Sequence, residues 1–289
     1  MELQKLIDKM SVLDKKLPHC SNLRTKALNA QAGKGKNPTL IKEIISLYLK
    51  YYKAIGKLDK EKDPKKWIEK ALNGFEKYYA ELKSVKFKIF SHQSDFLSSL
   101  LPEFLYILYT KFVISKYKGF IIETQKDLII DLSFFPHFLP AIDFKYKRVD
   151  VAILKPCSLT VNGAITSDFH IAIVAMEVKT NLDKNMITGV EYSVQRFKRT
   201  FPLCKYYLLS EYADFAVDTQ NYASTAIDEI LITRNQKRAE VRKDLTKIKP
   251  INVTLLSEHL KEVLAHIEFN IQKPTLLAQR LKRGKLIKL

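Results

Sequence analysis

Phe169-His170-Ile171-Ala172-Ile173-Val174-Ala175-Met176-Glu177-Val178-Lys179 is the segment from which the architecture can be read. Apolar residues occupy both parities from Ile171 to Met176, which predicts a strand covered on both faces and therefore central in its sheet. Beyond it, Asn181 or Asp183 can cap a helix whose Ile187, Val190, Val194 and Phe197 line one side, with Pro202 past its end. Cys204–Ser210 then reads as a strand again. Strand, helix and strand make a βαβ crossover, for which a right-handed parallel connection is the strong default.

On the N-terminal side, Gly119–Thr124 and Leu128–Phe134 are short β-rich runs, and Arg148–Leu154 is a third, stopped by Pro156. Asn162-Gly163 marks a turn, and Glu229–Thr233 supplies a further strand. Ser94 can cap a helix carrying Phe96, Leu97, Leu100 and Leu101, after which Pro102 kinks it or starts a second segment with Glu103, Leu105, Leu108 and Phe112. Residues 1–90 read as helical: Ile41, Ile44, Ile45 and Tyr48 recur at helix spacing, as do Trp67, Ala71 and Phe75. A last amphipathic helix carries Leu260, Val263, Leu264 and Ile267 before a tail, Gln279–Lys288, with five bases and no acid.

The chain has 289 residues, 46% of them hydrophobic, and 49 basic against 31 acidic side chains, a net charge of +18. Such a composition excludes disordered and collagenous classes, and the charge surplus attracts polyanions. Residues 1–90 hold 21 Lys and Arg against 10 Asp and Glu, so +11 falls in this region. Cys20, Cys157 and Cys204 form no C-x-x-C pair, which argues against a disulfide framework or a cysteine-based zinc site. Apolar runs such as Ile171–Met176 are short for a bilayer span, and MELQKLIDKM is no secretion signal; the reading is a soluble, cytoplasmic protein with no membrane partner.

Two strands end in charge. Alternation places Glu177 and Lys179 on one face, and sets Asp150, Ala152 and Leu154 opposite to Val149, Val151 and Ile153. If the two strands pair, Asp150 lies beside Glu177. Two carboxylates supply the oxygen ligands that Mg²⁺ prefers, the Val178 carbonyl can add a third, and Lys179 has the sign to hold a water nucleophile and offset charge growing on a phosphate. Glu-x-Lys on a strand is also common as a solvated or cross-strand ion pair worth less than ~1 kcal/mol. What separates this one is its place at the end of a strand apolar on both faces, where charge is costly unless paired or metal-bound.

Lys147-Arg148-Val149-Asp150-Val151-Ala152-Ile153 and Met176-Glu177-Val178-Lys179-Thr180-Asn181-Leu182-Asp183-Lys184-Asn185-Met186 resemble the PD-(D/E)XK nuclease motif, and more narrowly type II restriction endonucleases of the BbvCI and DdeI kind. Ser91-His92-Gln93-Ser94-Asp95-Phe96 with Pro102-Glu103-Phe104-Leu105-Tyr106 resembles the helix that precedes the nuclease core in such enzymes. The likeness runs over about Ser91 to Glu211. It implies an α/β restriction-endonuclease-like core, a mixed central sheet flanked by helices, behind a basic helical N-terminal region. It implies that Asp150 and Glu177 bind Mg²⁺, with Mn²⁺ as substitute, that Lys179 serves the attacking water, and that Glu103 matches an acid some members aim at the same site. Val149 stands where the motif's name has proline, and Asp143 and Asp131 are rival first acids.

The organisation so predicted is a basic helical region, 1–90, for DNA recognition and a nuclease domain, 91–289. The function is hydrolysis of double-stranded DNA by a homodimer, or by a heterodimer with a related subunit; a repair or junction-resolving nuclease and a non-catalytic DNA-binding protein are the alternatives. Further basic groups, Arg196, Lys198 and Arg199, then Arg234, Lys237, Arg238, Arg242 and Lys243, and Lys34 with Lys36, are either contacts to the DNA backbone or solvated surface. Ala32-Gly33-Lys34-Gly35-Lys36-Asn37-Pro38 lacks phosphate-loop spacing, and His92 has no ligand neighbours.

Overall fold

The computed structural model of the chain describes all residues other than 1–2, 14, 36, 88–89, 91–94, 135–141, 162–163, 216–224, 243 and 285–289. The Ser94 cap, His92, Lys36, Lys243 and the Asn162-Gly163 turn lie outside the described residues.

Four helices open the chain: α1 (Leu3–Ser11), α2 (Pro18–Gln31), α3 (Pro38–Gly56) and α4 (Pro64–Lys83). Asn37 and Asp63 cap α3 and α4 with their side-chain oxygens, each followed by a proline that needs no N–H partner in the first turn. The glycines between α2 and α3 serve the turn: Gly33 has φ +71, and a Cβ on Gly35 would sit 2.6 Å from the Ala30 backbone nitrogen. The apolar stripes predicted for α3 and α4 are buried.

Helix α5 (Leu100–Tyr109) continues into a π-turn, Thr110–Ile114. The stretch Phe96–Ile114 is long and apolar enough to cross a membrane, yet it is mostly buried inside the protein. Strands β1 (Ile121–Phe134), β2 (Ile142–Val161) and β3 (Ala164–Leu182) form an antiparallel meander. Helix α6 (Lys184–Thr200), capped by Asp183, leads to β4 (Lys205–Ala213) and then β5 (Glu229–Ile232), both parallel to β3 and its neighbour. The sheet order is β1-β2-β3-β4-β5, so β3 is central as its double-sided hydrophobicity requires. Helix α7 (Val253–Lys282) closes the fold.

One apolar cluster joins α1–α5 and α7 to the face of the sheet carrying Val151, Ile153, Val174, Met176, Tyr207 and Leu209. A second, under α6, holds Val149, Ala152, Leu154, Ala175, Tyr206 and Leu208.

Three expectations are corrected. The runs Gly119–Thr124 and Leu128–Phe134 are one strand, β1, which passes through the polar Gln125-Lys126-Asp127 with Gln125 at φ +51. Pro156 does not stop β2 but pairs with His170. The β1–β2 ladder ends at Ile121↔Leu154, so the side of β2 away from β3 is open at Pro156 and a missing N–H costs nothing there. Val149 lies in the α6 cluster rather than with Val151, because alternation breaks at Asp150, opposite Gln125.

Candidate active site

The β2–β3 ladder runs from Val161↔Ala164 to Val151↔Met176 and stops there. One step on, in the same register, Asp150 faces Glu177. The strands are tied at this point by a side chain: Asp150 Oδ2 accepts the Val178 N–H at 2.7 Å, and Oδ1 accepts from the Gln125 amide at 3.1 Å. The Val178 peptide thus lies beyond the ladder, beside the carboxylate.

Glu177 is held on both oxygens. Lys179 Nζ lies 2.9 Å from Oε1, while Lys147 Nζ and the Tyr206 hydroxyl each donate to Oε2 at 3.0 Å. The side chains of Glu177 and Lys147 are only 14% and 12% exposed, against 37% for Lys179. Burial pushes the Glu177 carboxyl up, but the Lys147 and Lys179 ammonium groups outweigh it and hold it below the ordinary carboxylate range. Burial raises Asp150, reinforced by the charge of Glu177 and opposed by the Val178 N–H and Lys179. Burial and the Glu177 charge push Tyr206 well up, so it stays a hydrogen-bond donor.

A cleft of about 810 Å³ opens over this point, lined by Asp150, Val178 and Lys179, by Glu123, Thr124 and Gln125 of β1, and by Lys15, Lys16, Ser21 and Asn22 from the helical region, with Arg148 and Arg238 at its edge. Glu123 pairs with Lys16 at 3.1 Å. The helical region and the sheet therefore share the walls of one basic-rimmed groove.

The donor set suits a hard divalent cation. Two carboxylates, one raised by burial and by the other's charge, sit next to the Val178 peptide just past the end of the β2–β3 ladder, and bringing a cation between them relieves their repulsion.

Of the predicted residues, Asp150, Glu177, Val178 and Lys179 come together here, while Glu103 takes its place in the helical core. It is fully buried, accepting from Tyr48 at 2.8 Å and from the Cys20 N–H at 2.9 Å, and it does not line the cleft. Burial pushes its carboxyl up to about 7. Asp131 is engaged by Arg196 at 2.9 Å, and Asp143 pairs across with Ser133, well along the strands from Asp150.

Arg234 is no surface base. It is buried against Glu211 (2.9 Å) and Glu76 (3.0 Å), donates to the Lys249 carbonyl and stacks on Tyr79. Lys198 is tied to Asp228.

Sequence reasoning missed Lys147, Tyr206 and Gln125. Strict alternation would set Lys147 on the wrong side; the break at Asp150 turns it to Glu177. Tyr206 becomes visible only through the register Ala175↔Tyr206 and Glu177↔Leu208 of the parallel pair.

A family model described as Bpu10I restriction endonuclease matches residues 159–263, a segment that includes Glu177 and Lys179. No curated protein matches the chain. Among solved structures, one described as the native BbvCI A2B2 tetramer at low resolution matches with a TM-score of 0.68 and 25% identity, covering 90% of this chain and 98% of that one. The fold is of the α/β restriction-endonuclease type.

Proposed function

We infer that this chain, similar in fold and in its 159–263 segment to the type II restriction endonucleases BbvCI and Bpu10I, is a type II restriction nuclease whose catalytic centre is the Asp150, Glu177 and Lys179 group. The observation that carries the assignment is the 2.7 Å bond from the Val178 amide to Asp150, which brings that carboxylate beside Glu177 and Lys179 where the β2–β3 ladder ends.

Asp150, Glu177 and the Val178 carbonyl would hold Mg²⁺ or Mn²⁺, which supplies Lewis-acid stabilisation of a phosphodiester oxygen and lowers the pKa of bound water. Lys179, the more exposed of the two lysines on Glu177, turns its ammonium to the cleft, where it orients the attacking water and offsets charge developing on the phosphate. Lys147 and Tyr206 stay behind Glu177 and set its direction. The basic rim draws in double-stranded DNA through its backbone charge.

One such centre cuts one strand, so a double-strand break requires two. The A2B2 composition named for the BbvCI relative supports an assembly with a related second subunit, and a homodimer is the other arrangement.

The test is incubation of this chain alone with duplex plasmid and Mg²⁺. Discrete fragments indicate a self-sufficient homomeric enzyme, and site-specific nicks indicate half of a heteromer. Cleavage by Glu177→Ala at the wild-type rate would overturn the assignment.

A further inference from the structure

His259 lies on α7 with its imidazole fully buried, the ring of Tyr207 edge-on at 4.5 Å. Its Nε2 is 2.6 Å from the Tyr109 hydroxyl oxygen, and the Tyr109 O–H is directed at Met176 Sδ, 3.2 Å away. A cation at Nδ1 requires the ring proton on Nε2, where the Tyr109 oxygen can accept it while its own proton turns to Met176 Sδ. Nδ1 is shut off from solvent and has no hydrogen-bond partner.

Two carboxylates lie close to the ring. Glu229 opens β5, where it pairs with Tyr207, and Glu262 follows His259 by three residues, on the same face of α7. One ligand atom from each of the three residues lies within 4.8 Å of the other two. Glu262 Oε2 is also buried without a partner. An unpartnered nitrogen on a fully buried ring thus meets two carboxylates that are not fully buried, a donor set that a cation at its centre would satisfy. Lys205 is the cation whose charge reaches both His259 and Glu229.

We propose that Glu229, His259 and Glu262 bind one divalent transition-metal ion of the Zn²⁺ class, across the sheet from Glu177. One imidazole nitrogen with two carboxylate oxygens suits Zn²⁺ better than Mg²⁺, which avoids nitrogen. Tyr109 is the outer partner that fixes the imidazole's tautomer and direction. Such an ion clamps β5, an edge strand of four residues, to α7. It is separate from the Mg²⁺ proposed for catalysis.

The test uses the full chain stripped of metal and titrated with Zn²⁺, and with Co²⁺ for its visible absorption, reading stoichiometry and thermal midpoint. Wild type and an Asp150→Asn/Glu177→Gln variant should both bind one Zn²⁺ and gain stability from it. Glu229→Gln/Glu262→Gln should lose affinity by at least about tenfold, since even outer partners of a metal site cost about 10–100-fold. The same variant should still cut DNA with Mg²⁺, which keeps this proposal separable from the catalytic one. Absence of stoichiometric Zn²⁺ binding in the wild type, the mark of carboxyls that share only a proton, would overturn it. So would binding indifferent to the Glu229→Gln/Glu262→Gln change.

Discussion

Lys147 and Lys179 hold opposite oxygens of one carboxylate, Glu177, at 3.0 and 2.9 Å. One lysine is enclosed and the other faces the cleft, so two groups of the same charge do different work.

Replacing the cleft-facing Lys179 by Ala removes the group proposed to meet water and phosphate. Cleavage should fall by about 10²-fold or more, the range for loss of one preorganised charge-stabilising donor. DNA affinity should change little, so gel-shift and single-turnover cleavage measured side by side separate the two effects.

Tyr206→Phe deletes only the hydroxyl that donates to Glu177 Oε2. Lost stability should be about 1 kcal/mol, the net value of one such bond, measurable by denaturant unfolding. Cleavage should drop far less than for Lys179→Ala; an equal loss would mean that Tyr206 itself touches the reacting atoms.

Glu103 has its folded carboxyl pushed up to about 7, from an ordinary 4.5, by burial. A raised folded value means a stabilising contribution that is complete below the ordinary value and is lost as pH rises through about 7. Wild-type stability should therefore decline across that window by up to about 3 kcal/mol from this group. Glu103→Gln should flatten the decline, with stability curves at several pH values as the measurement.

Arg234 and Arg238 should behave oppositely although they are neighbours in a basic stretch. Arg234→Met strands the buried Glu211 and should cost about 3–5 kcal/mol while leaving the salt dependence of DNA binding alone. Arg238→Ala, at the edge of the cleft, should leave stability alone and reduce the salt slope by about 1.

Much of this site was legible in the sequence because charge adjoining a two-sided apolar run is expensive, although β3 continues past Lys179 to Leu182 rather than ending there. Glu177-x-Lys179 could be located by cost, and Asp150 by the pairing of two adjacent β-rich runs. The βαβ step through Asp183 and α6 followed from capping and spacing. Lys147 was hidden because its orientation depends on a break in the alternation of β2 beside Asp150, across from Gln125, whose φ is positive. Glu103 shows the converse. An acid in the first turn of a helix looks available from the sequence, and only packing reveals that Tyr48 and the Cys20 amide already claim it.

A single apolar mass runs from α1 through α5 and α7 into one face of the sheet. That shared core ties the helical wall of the groove to its sheet wall. On the proposed catalytic reading, the distortion that brings a scissile bond to Asp150 then falls mainly to the double helix, and sequences that bend or pinch easily should be cut faster at equal contact with the bases.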